Sequence, residues 1–137
     1  MRLAAIVTQL KSGVCPSLKW SELALKAAIP AAYPAAYVFP LSEKAGADPL
    51  SGGAVRQRIT SVFAIEVMVK NAAAAAAGGP AEESLETTRE EVKAALVGWS
   101  PGPSFAPIEY GGGALVDFEA GTAVWREEFS TYYFIGN

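Results

Sequence analysis

Apolar and polar residues alternate most regularly in the middle of the chain, where residues 56–70 read RQRITSVFAIEVMVK. Because successive side chains of a β-strand point to opposite faces of the sheet, this period of two predicts a long strand with one buried face. The predicted buried face comprises Ile59, Phe63, Ile65, Val67 and Val69, and the opposite face comprises Arg58, Thr60, Glu66 and Lys70.

Two other segments have the spacing of amphipathic helices. Near the start of the chain, apolar residues recur at positions 3, 6, 7 and 10, and Gly13 can end the helix. The second helix is predicted to begin at Pro80 and to stop at Gly98, with acidic residues in its first turns that complement the helix dipole. Its apolar stripe comprises Leu85, Val92 and Leu96, and Trp99 continues the line just past its end. The stripe of the first helix needs a sheet or another helix to cover it.

Shorter elements are predicted before the long strand. Residues 14–20 indicate a short strand, followed by a short helical segment, residues 22–28, that Ser21 is placed to cap. The segment 35–41, AAYVFPL, contains Pro40, which has no N–H to donate to a neighbouring strand. We therefore expect this segment to be an edge strand or a bulged one.

Loop and hairpin signals occupy the rest of the chain. Residues 42–53 have the Gly, Pro, Asp and Ser composition of a loop, and the alanine tract 72–77 is either a helical turn or a linker. The C-terminal part is predicted to be a hairpin, in which PIEY and ALVDF flank a glycine triplet and EAGT turns the chain into AVWREEFSTYYFI. In the last strand, Trp125, Phe129, Tyr133 and Ile135 alternate with Arg126, Glu128 and Tyr132.

The order of these elements predicts the fold class. Helix, strand, short helix, strand, long strand, helix, strand and strand fit an α+β fold, with a mixed, mostly antiparallel sheet and the helices packed on one face. A length of 137 residues is enough to bury a core and is typical of one domain. We therefore expect residues 1–137 to form a single domain.

The composition argues against several kinds of active site. The chain contains no histidine, which removes Ser/His/Asp and Cys/His arrangements, imidazole acid–base chemistry and the common zinc sites. Its one cysteine, Cys15, fits a small buried hydrophobe of an intracellular protein better than a reactive thiol. The helix dipole and solvation account for the acidic face of the second helix without a metal. We predict no catalytic, cofactor-binding or metal-binding residues.

Charge and hydropathy bear on the partners. The formal net charge is −3, and the 11 Lys and Arg residues are scattered without a basic stripe. A surface that binds nucleic acid through basic charge is therefore not expected. No apolar run approaches the roughly 20 residues of a membrane span, and the first residues lack the apolar stretch of a signal peptide. We expect a soluble protein that is made and retained in the cytoplasm.

The stretch GWSPGPSFAPIEYGGG, residues 98–113, is the most unusual in composition. Its glycine triplet precedes a strand rather than a helix, so it provides no helix N-terminus for a phosphate. One interpretation is a connection stiffened by its prolines, whose glycines let the strand start or bulge. Another is a semi-rigid arm that exposes Phe105 and Ile108 to a neighbouring subunit.

The segment from Leu96 to Ile135 resembles the C-terminal half of the tail terminator proteins, also called tail completion proteins, of long-tailed bacteriophages. The matching positions are Leu96, Gly98, Trp99, Pro101, Gly102, Pro107, Tyr110, Gly112, Leu115, Asp117, Gly121, Trp125, Phe129 and Tyr133. The N-terminal half is similar in pattern, with an opening amphipathic helix, a strand flanked by prolines, and a loop that leads to the long strand.

The resemblance implies a structural role without catalysis. Members form a ring, typically a hexamer, that caps the head-proximal end of the tail tube, stops its polymerisation and presents a surface to the neck. The implied partners are other copies of the chain, the tail tube protein and a neck or head-completion protein. DNA would pass through the ring without specific binding, and the ring, assembled in the host cytoplasm, would lie at the head–tail junction of the virion.

A closed ring requires one patch of each copy to meet a different patch on the next. Residues 42–53 and 100–113 are plausible suppliers of such patches, which makes Leu50, Pro101, Phe105 and Ile108 interface candidates. Arg56 and Arg58 alternate onto one face at the start of the long strand, where they could pair with acidic residues of the next subunit. Solvated charges at a strand end are the alternative for these two.

Two other classes of protein are compatible with the sequence. One is another ring-forming virion component, such as a head-completion or tail tube protein. A tube protein should stack ring on ring, whereas a terminator should stop at one ring. The other is a small enzyme that uses carboxylates such as Glu66 or Asp117, although the sequence does not cluster them.

Overall fold

The computed structural model of the chain describes residues 3–14, 19–20, 34–47, 53–70, 79–119 and 121–136. Several predictions lie outside the described residues: those for Cys15, for Leu50, for the short helix after Ser21 and for the alanine tract 72–77. In the described part of the chain, no helix is long and apolar enough to cross a membrane.

Two helices and five strands make up the described fold. In chain order they are α1 (Ala4–Gln9), which continues into a π-helical turn (Leu10–Val14), β1 (Lys19–Trp20), β2 (Ala35–Ala45), β3 (Arg56–Lys70), α2 (Gly79–Leu96), β4 (Glu109–Glu119) and β5 (Thr122–Gly136). The long strand predicted for residues 56–70 is therefore confirmed. The second helix also agrees with its prediction: it ends at Leu96, and Gly98 follows with a φ of +84°, a left-handed conformation that favours glycine.

The strands form one sheet in the order β1-β2-β3-β5-β4. Among the strands of the described residues, β1 and β2 are parallel, and the other three pairs are antiparallel. Strands β3 and β5 pair without interruption from Arg56 opposite Gly136 to Lys70 opposite Thr122. These observations confirm the predicted α+β class, with a mixed and mostly antiparallel sheet.

The core lies between the helices and one face of the sheet. The predicted buried face of β3 contributes Phe63, Ile65 and Val67, none of which is exposed to solvent. These side chains share a cluster with apolar residues of both helices and of β5: Ile6, Leu10, Val92, Leu96 and Phe129. Phe63 and Phe129 stack with ring centroids 5.7 Å apart. Burial of each such side chain stabilises the fold by about 1.5–3 kcal/mol.

The prediction of a loop over residues 42–53 is wrong at its beginning. Strand β2 continues to Ala45, and Ser42 to Ala45 pair with Val62 to Ile59 of β3. Backbone pairing with a long, regular neighbour outweighs a local composition that is typical of loops. The register shifts between Pro40 and Ser42, so the bulge expected at this proline is present.

The glycine triplet lies inside β4 rather than before it. The register of β4 with β5 shifts between Tyr110 and Gly112, and Gly112 has a φ of +129°. Glu109 and Tyr110 of PIEY and the whole of ALVDF, predicted on either side of the glycines, therefore belong to one bulged strand that pairs with β5. The interpretation of the glycines as residues that let a strand bulge is confirmed.

Candidate functional site

The loop between α2 and β4, residues 98–108, is held against the body of the protein. The amide of Gly98 donates to the carbonyl of Ile108, and the amide of Ile108 donates to the carbonyl of Trp99, both at 2.9 Å. Thr131 of β5 donates its hydroxyl to the carbonyl of Ala106 at 2.6 Å. The first two bonds join the two ends of the loop to each other, and the third joins the loop to β5, so it is a folded connection.

This arrangement corrects one predicted interface residue. Ile108 is 1% exposed and belongs to the apolar core, so the expectation that it faces a neighbouring subunit is wrong. A short parallel bridge joins Ile108 to Val97 at the end of α2. Phe105 and Pro101 are half-buried, and the Phe105 ring lies 5.1 Å from that of Tyr133. Both keep part of their surface available for a partner.

Arg56 and Arg58 lie over aromatic rings at the end of the sheet where β3 begins. The Cζ atom of Arg56 is 4.3 Å from the ring centroid of Phe134, and that of Arg58 is 3.7 Å from the centroid of Tyr132. The two rings also meet edge to face, with centroids 6.0 Å apart. We call these four residues the arginine ladder. The cation–π contact fixes the direction of the Arg58 guanidinium and uses the face of that group rather than its N–H edge.

The arginine ladder has an apolar border. Val55, Phe134 and Ile135 are each close to half exposed. Both arginines are exposed as well. This end of the sheet therefore combines positive charge with apolar surface, which is the composition of many protein interfaces.

A second exposed surface lies on the outer strand β4, close to its turn into β5. Leu115, Val116 and Phe118 are 51%, 43% and 50% exposed, and Asp117 between them is exposed too. We call residues 115–118 the β4 tip. Large apolar side chains that are exposed on an edge strand favour association with another chain.

The carboxylates considered for an enzyme are not brought together. Glu66 is buried on β3 and accepts two hydrogen bonds from Arg126 of β5, from Nε at 3.0 Å and from Nη2 at 2.8 Å. Asp117 is on β4, with β5 between the two strands. Among the described residues, no three acidic or cysteine side chains are grouped so as to hold a metal ion.

A buried carboxylate on β5 escaped the sequence analysis. Glu127 is fully buried, and its Oε1 accepts hydrogen bonds from Tyr110 Oη at 2.9 Å, from Arg89 Nη2 at 3.3 Å and from Trp125 Nε1. Arg89 also lies over the Trp125 ring, with Cζ 4.0 Å from the centroid. The position of Glu127 could have indicated its burial, because residue 127 lies between Trp125 and Phe129 on the face of β5 that the alternation predicts to be buried.

Arg89, Tyr110, Trp125 and Glu127 form a cluster in which neighbouring groups shift the pKa values of Arg89 and Tyr110. Burial alone would lower the pKa of Arg89, but the nearby charge of Glu127 and its hydrogen bonds raise it overall. Burial raises the pKa of Tyr110 first, and the hydrogen bond that Tyr110 donates to Glu127 raises it further. The cluster joins α2, β4 and β5 through charge-assisted hydrogen bonds.

Gly113 makes room for this carboxylate. A Cβ atom at this position would overlap Oε1 of Glu127 and stand 2.5 Å from Trp125 Nε1 and 2.9 Å from Tyr110 Oη. Glycine is therefore required at 113 for the close approach of its backbone to a buried group, not for a special backbone angle.

Comparisons with known proteins bear on this geometry. Residues 2–137 match the family model described as phage tail terminator protein. Among solved structures, a chain described as part of the virion of a native gene transfer agent particle matches with a TM-score of 0.58 and 16% identity, over 96% of this chain and 93% of that one. At this identity the likeness concerns the fold alone. No curated protein sequence matches this chain. The family match confirms the resemblance predicted from the sequence.

Proposed function

Since this chain belongs to the phage tail terminator family, we propose that copies of it form a closed ring that caps the head-proximal end of the tail tube. The protein is a structural component of the phage tail. In the proposed role the whole chain, residues 1–137, acts as one domain, and six copies make up the ring. The ring ends polymerisation of the tube and offers the neck a surface to join.

The observation that carries this proposal is the β4 tip. An isolated copy leaves three large apolar side chains half exposed on an edge strand. Natural proteins usually protect such edges with charges, prolines or a covering element. Self-association would cover this surface, and association into a closed ring would cover it in every copy.

The two faces of the proposed ring have different partners. One face contacts the tail tube protein, and the other contacts a neck or head-completion protein. Pro101 and Phe105, on the folded loop beside Tyr133, are proposed contacts of this kind. DNA passes through without specific binding, in keeping with the net charge of −3. The ring assembles in the host cytoplasm and ends at the head–tail junction, and its role requires no catalysis.

The proposal is tested by measuring the mass of the purified protein in solution. Light scattering behind a sizing column, across a concentration series and with or without tail tube protein, should give one discrete ring mass. Electron microscopy of tube protein polymerised with the ring should show tubes that are closed at one end and do not lengthen further.

Two outcomes would contradict the proposal, and they differ from each other. Filaments of the protein alone, stacked ring on ring, would indicate a tail tube protein. A monomer at every concentration that leaves tube growth unchanged would exclude a terminator.

A further inference from the structure

We propose that the β4 tip of one copy binds the arginine ladder of the next copy. This inference rests on the proposed ring and identifies the interface that closes it. The occupant of each surface is thus a second copy of this chain, bound through a carboxylate and apolar side chains on one side and the Arg58 guanidinium and an aromatic ring on the other.

The two surfaces are complementary in charge. At the β4 tip, exposed Asp117 lies opposite Val124, on the face of the sheet that also carries Arg58, whereas Leu115 and Phe118 lie on the other face of the same edge strand. The arginine ladder presents Arg58 beside exposed Phe134. Arginine binds a carboxylate through two parallel N–H groups, which gives a contact both strength and direction. Because the aromatic rings already orient the guanidinium groups, little side-chain freedom is lost when the carboxylate arrives.

The two surfaces lie too far apart to meet within one copy. Arg58 pairs with Phe134 near one end of the sheet. At the other end, Asp117 is opposite Val124, which is opposite Met68 of β3. Arg58 and Met68 are ten residues apart in one strand, or about 33 Å at roughly 3.3 Å per residue. Contact between the surfaces therefore requires two copies.

This placement allows a head-to-tail contact between copies. A patch that binds a different patch on the next copy makes a head-to-tail contact, which generates rings when the rotation closes. A self-complementary patch would instead produce a two-fold dimer. Two unlike surfaces at opposite ends of one sheet are compatible with such a ring. They are also compatible with a two-fold dimer in which both contacts form at once, and the measured mass of the assembly distinguishes the two.

The β4 tip contains a β-bulge, which favours contacts through side chains over backbone pairing with a neighbouring copy. The register with β5 shifts between Leu115 and Asp117, so Val116 has no regular partner in β5. Bulges twist a strand and interrupt the regular row of edge amides and carbonyls. We therefore expect the tip to dock through its side chains rather than by adding a strand to the neighbouring sheet.

Charge reversal at Arg58 and Asp117 tests the inference. Arg58→Glu and Asp117→Arg should each raise the concentration needed for ring assembly at least about tenfold, since each places like charges at every interface. The double variant should assemble like the original protein because its charges are exchanged and still opposite. Glu90→Arg on the exposed side of α2 is the matched control and should assemble normally. Thermal unfolding of each variant verifies that it folds.

Mixing the two single variants sharpens the test. In an alternating ring, each Asp117 of one variant meets an Arg58 of the other, and each introduced arginine meets an introduced glutamate. Equal amounts of two variants that do not assemble alone should therefore form rings together. Alternation closes only with an even number of copies, so the mixture also tests the proposed hexamer.

The outcomes separate this inference from the proposed function. If the original protein forms rings and neither single variant alters them, the interface is wrong and the ring stands. If the single variants block assembly but neither the double variant nor the mixture restores it, the two residues do not contact each other and the inference is overturned. Absence of any ring from the original protein, with tube present, would remove the proposed function itself.

Discussion

Phe129 and Phe118 lie on neighbouring strands of one sheet, and the protein uses them differently. Phe129 is fully buried, stacked on Phe63 and in edge contact with Tyr110 at 5.5 Å between centroids. Phe118, on the outer strand, is 50% exposed. A side chain already covered contributes to folding, whereas a half-exposed one on an edge strand is available to a second chain. Buried positions such as Phe129 stabilise the fold of a single copy. Exposed positions such as Phe118 are those that we propose join one copy to the next.

Phe129→Ala should have the largest effect on folding. Removing a buried phenylalanine loses its transfer free energy and leaves a cavity, so we expect the free energy of unfolding to fall by about 3–5 kcal/mol. Denaturant unfolding followed by far-UV circular dichroism measures it. Phe118→Ala is the matched control and should lower the free energy of unfolding by only about 1 kcal/mol, because half of its side chain is already exposed. Equal losses for the two variants would abolish the distinction between the two regions.

Gly113→Ala should have the next largest effect. The added methyl group would overlap the carboxylate of Glu127, so the cluster must shift, at a cost of about 1–3 kcal/mol in the free energy of unfolding. Gly111→Ala is the control, because its Cβ would lie 3.4 Å from the nearest atom, the carbonyl oxygen of Glu128. Urea unfolding of both variants should give a clear loss for Gly113→Ala only. A harmless Gly113→Ala would mean that Glu127 does not pack against this glycine.

Regular alternation was the most informative signal in the sequence. It predicted β3 with its bounds and its buried face, because a long central strand is read directly from a period of two. The helices followed from spacing and end signals. The prediction of a loop is wrong for residues 42–45, because amino-acid composition does not indicate the backbone hydrogen bonds that these residues form with β3.

The candidate surfaces were only partly predictable. Arg56 and Arg58 were identified from their position, but their stacking on β5 rings depends on a register that the sequence did not fix. The exposed β4 tip was read as an ordinary apolar strand, since an edge strand and a central strand look alike when the strand order is unknown. Ile108 is buried beside a bridge to Val97 that joins residues eleven positions apart, and the local sequence pattern does not indicate such a contact.

Phe118→Ser should affect assembly far more than folding. The side chain has half its surface in water, so its loss should lower the free energy of unfolding by about 1 kcal/mol, about half the contribution of a fully buried side chain. Under the proposed interface the same change should shift ring formation to higher concentration, as measured by light scattering. Thr87→Ser, an exposed change on α2, serves as the control. Normal rings from Phe118→Ser would place the contact elsewhere on the sheet.

The smallest expected effect concerns pH and Glu43, which lies on the exposed part of β2. Hydrogen bonds from Ser61 at 2.8 Å and from Tyr133 at 3.1 Å lower the pKa of this carboxyl group. Stability from a lowered pKa is present above the ordinary glutamate value of about 4.3 and is lost as pH falls through the lower, folded value. Glu43→Gln should therefore be slightly less stable than the original protein at pH 7, and the difference should shrink as the pH falls below about 4. Thermal unfolding at pH 7 and at successively lower pH measures this difference, with Glu90→Gln as the control for an exposed carboxylate. A difference that stays constant with pH would mean that the bonds to Ser61 and Tyr133 do not depend on the charge of Glu43.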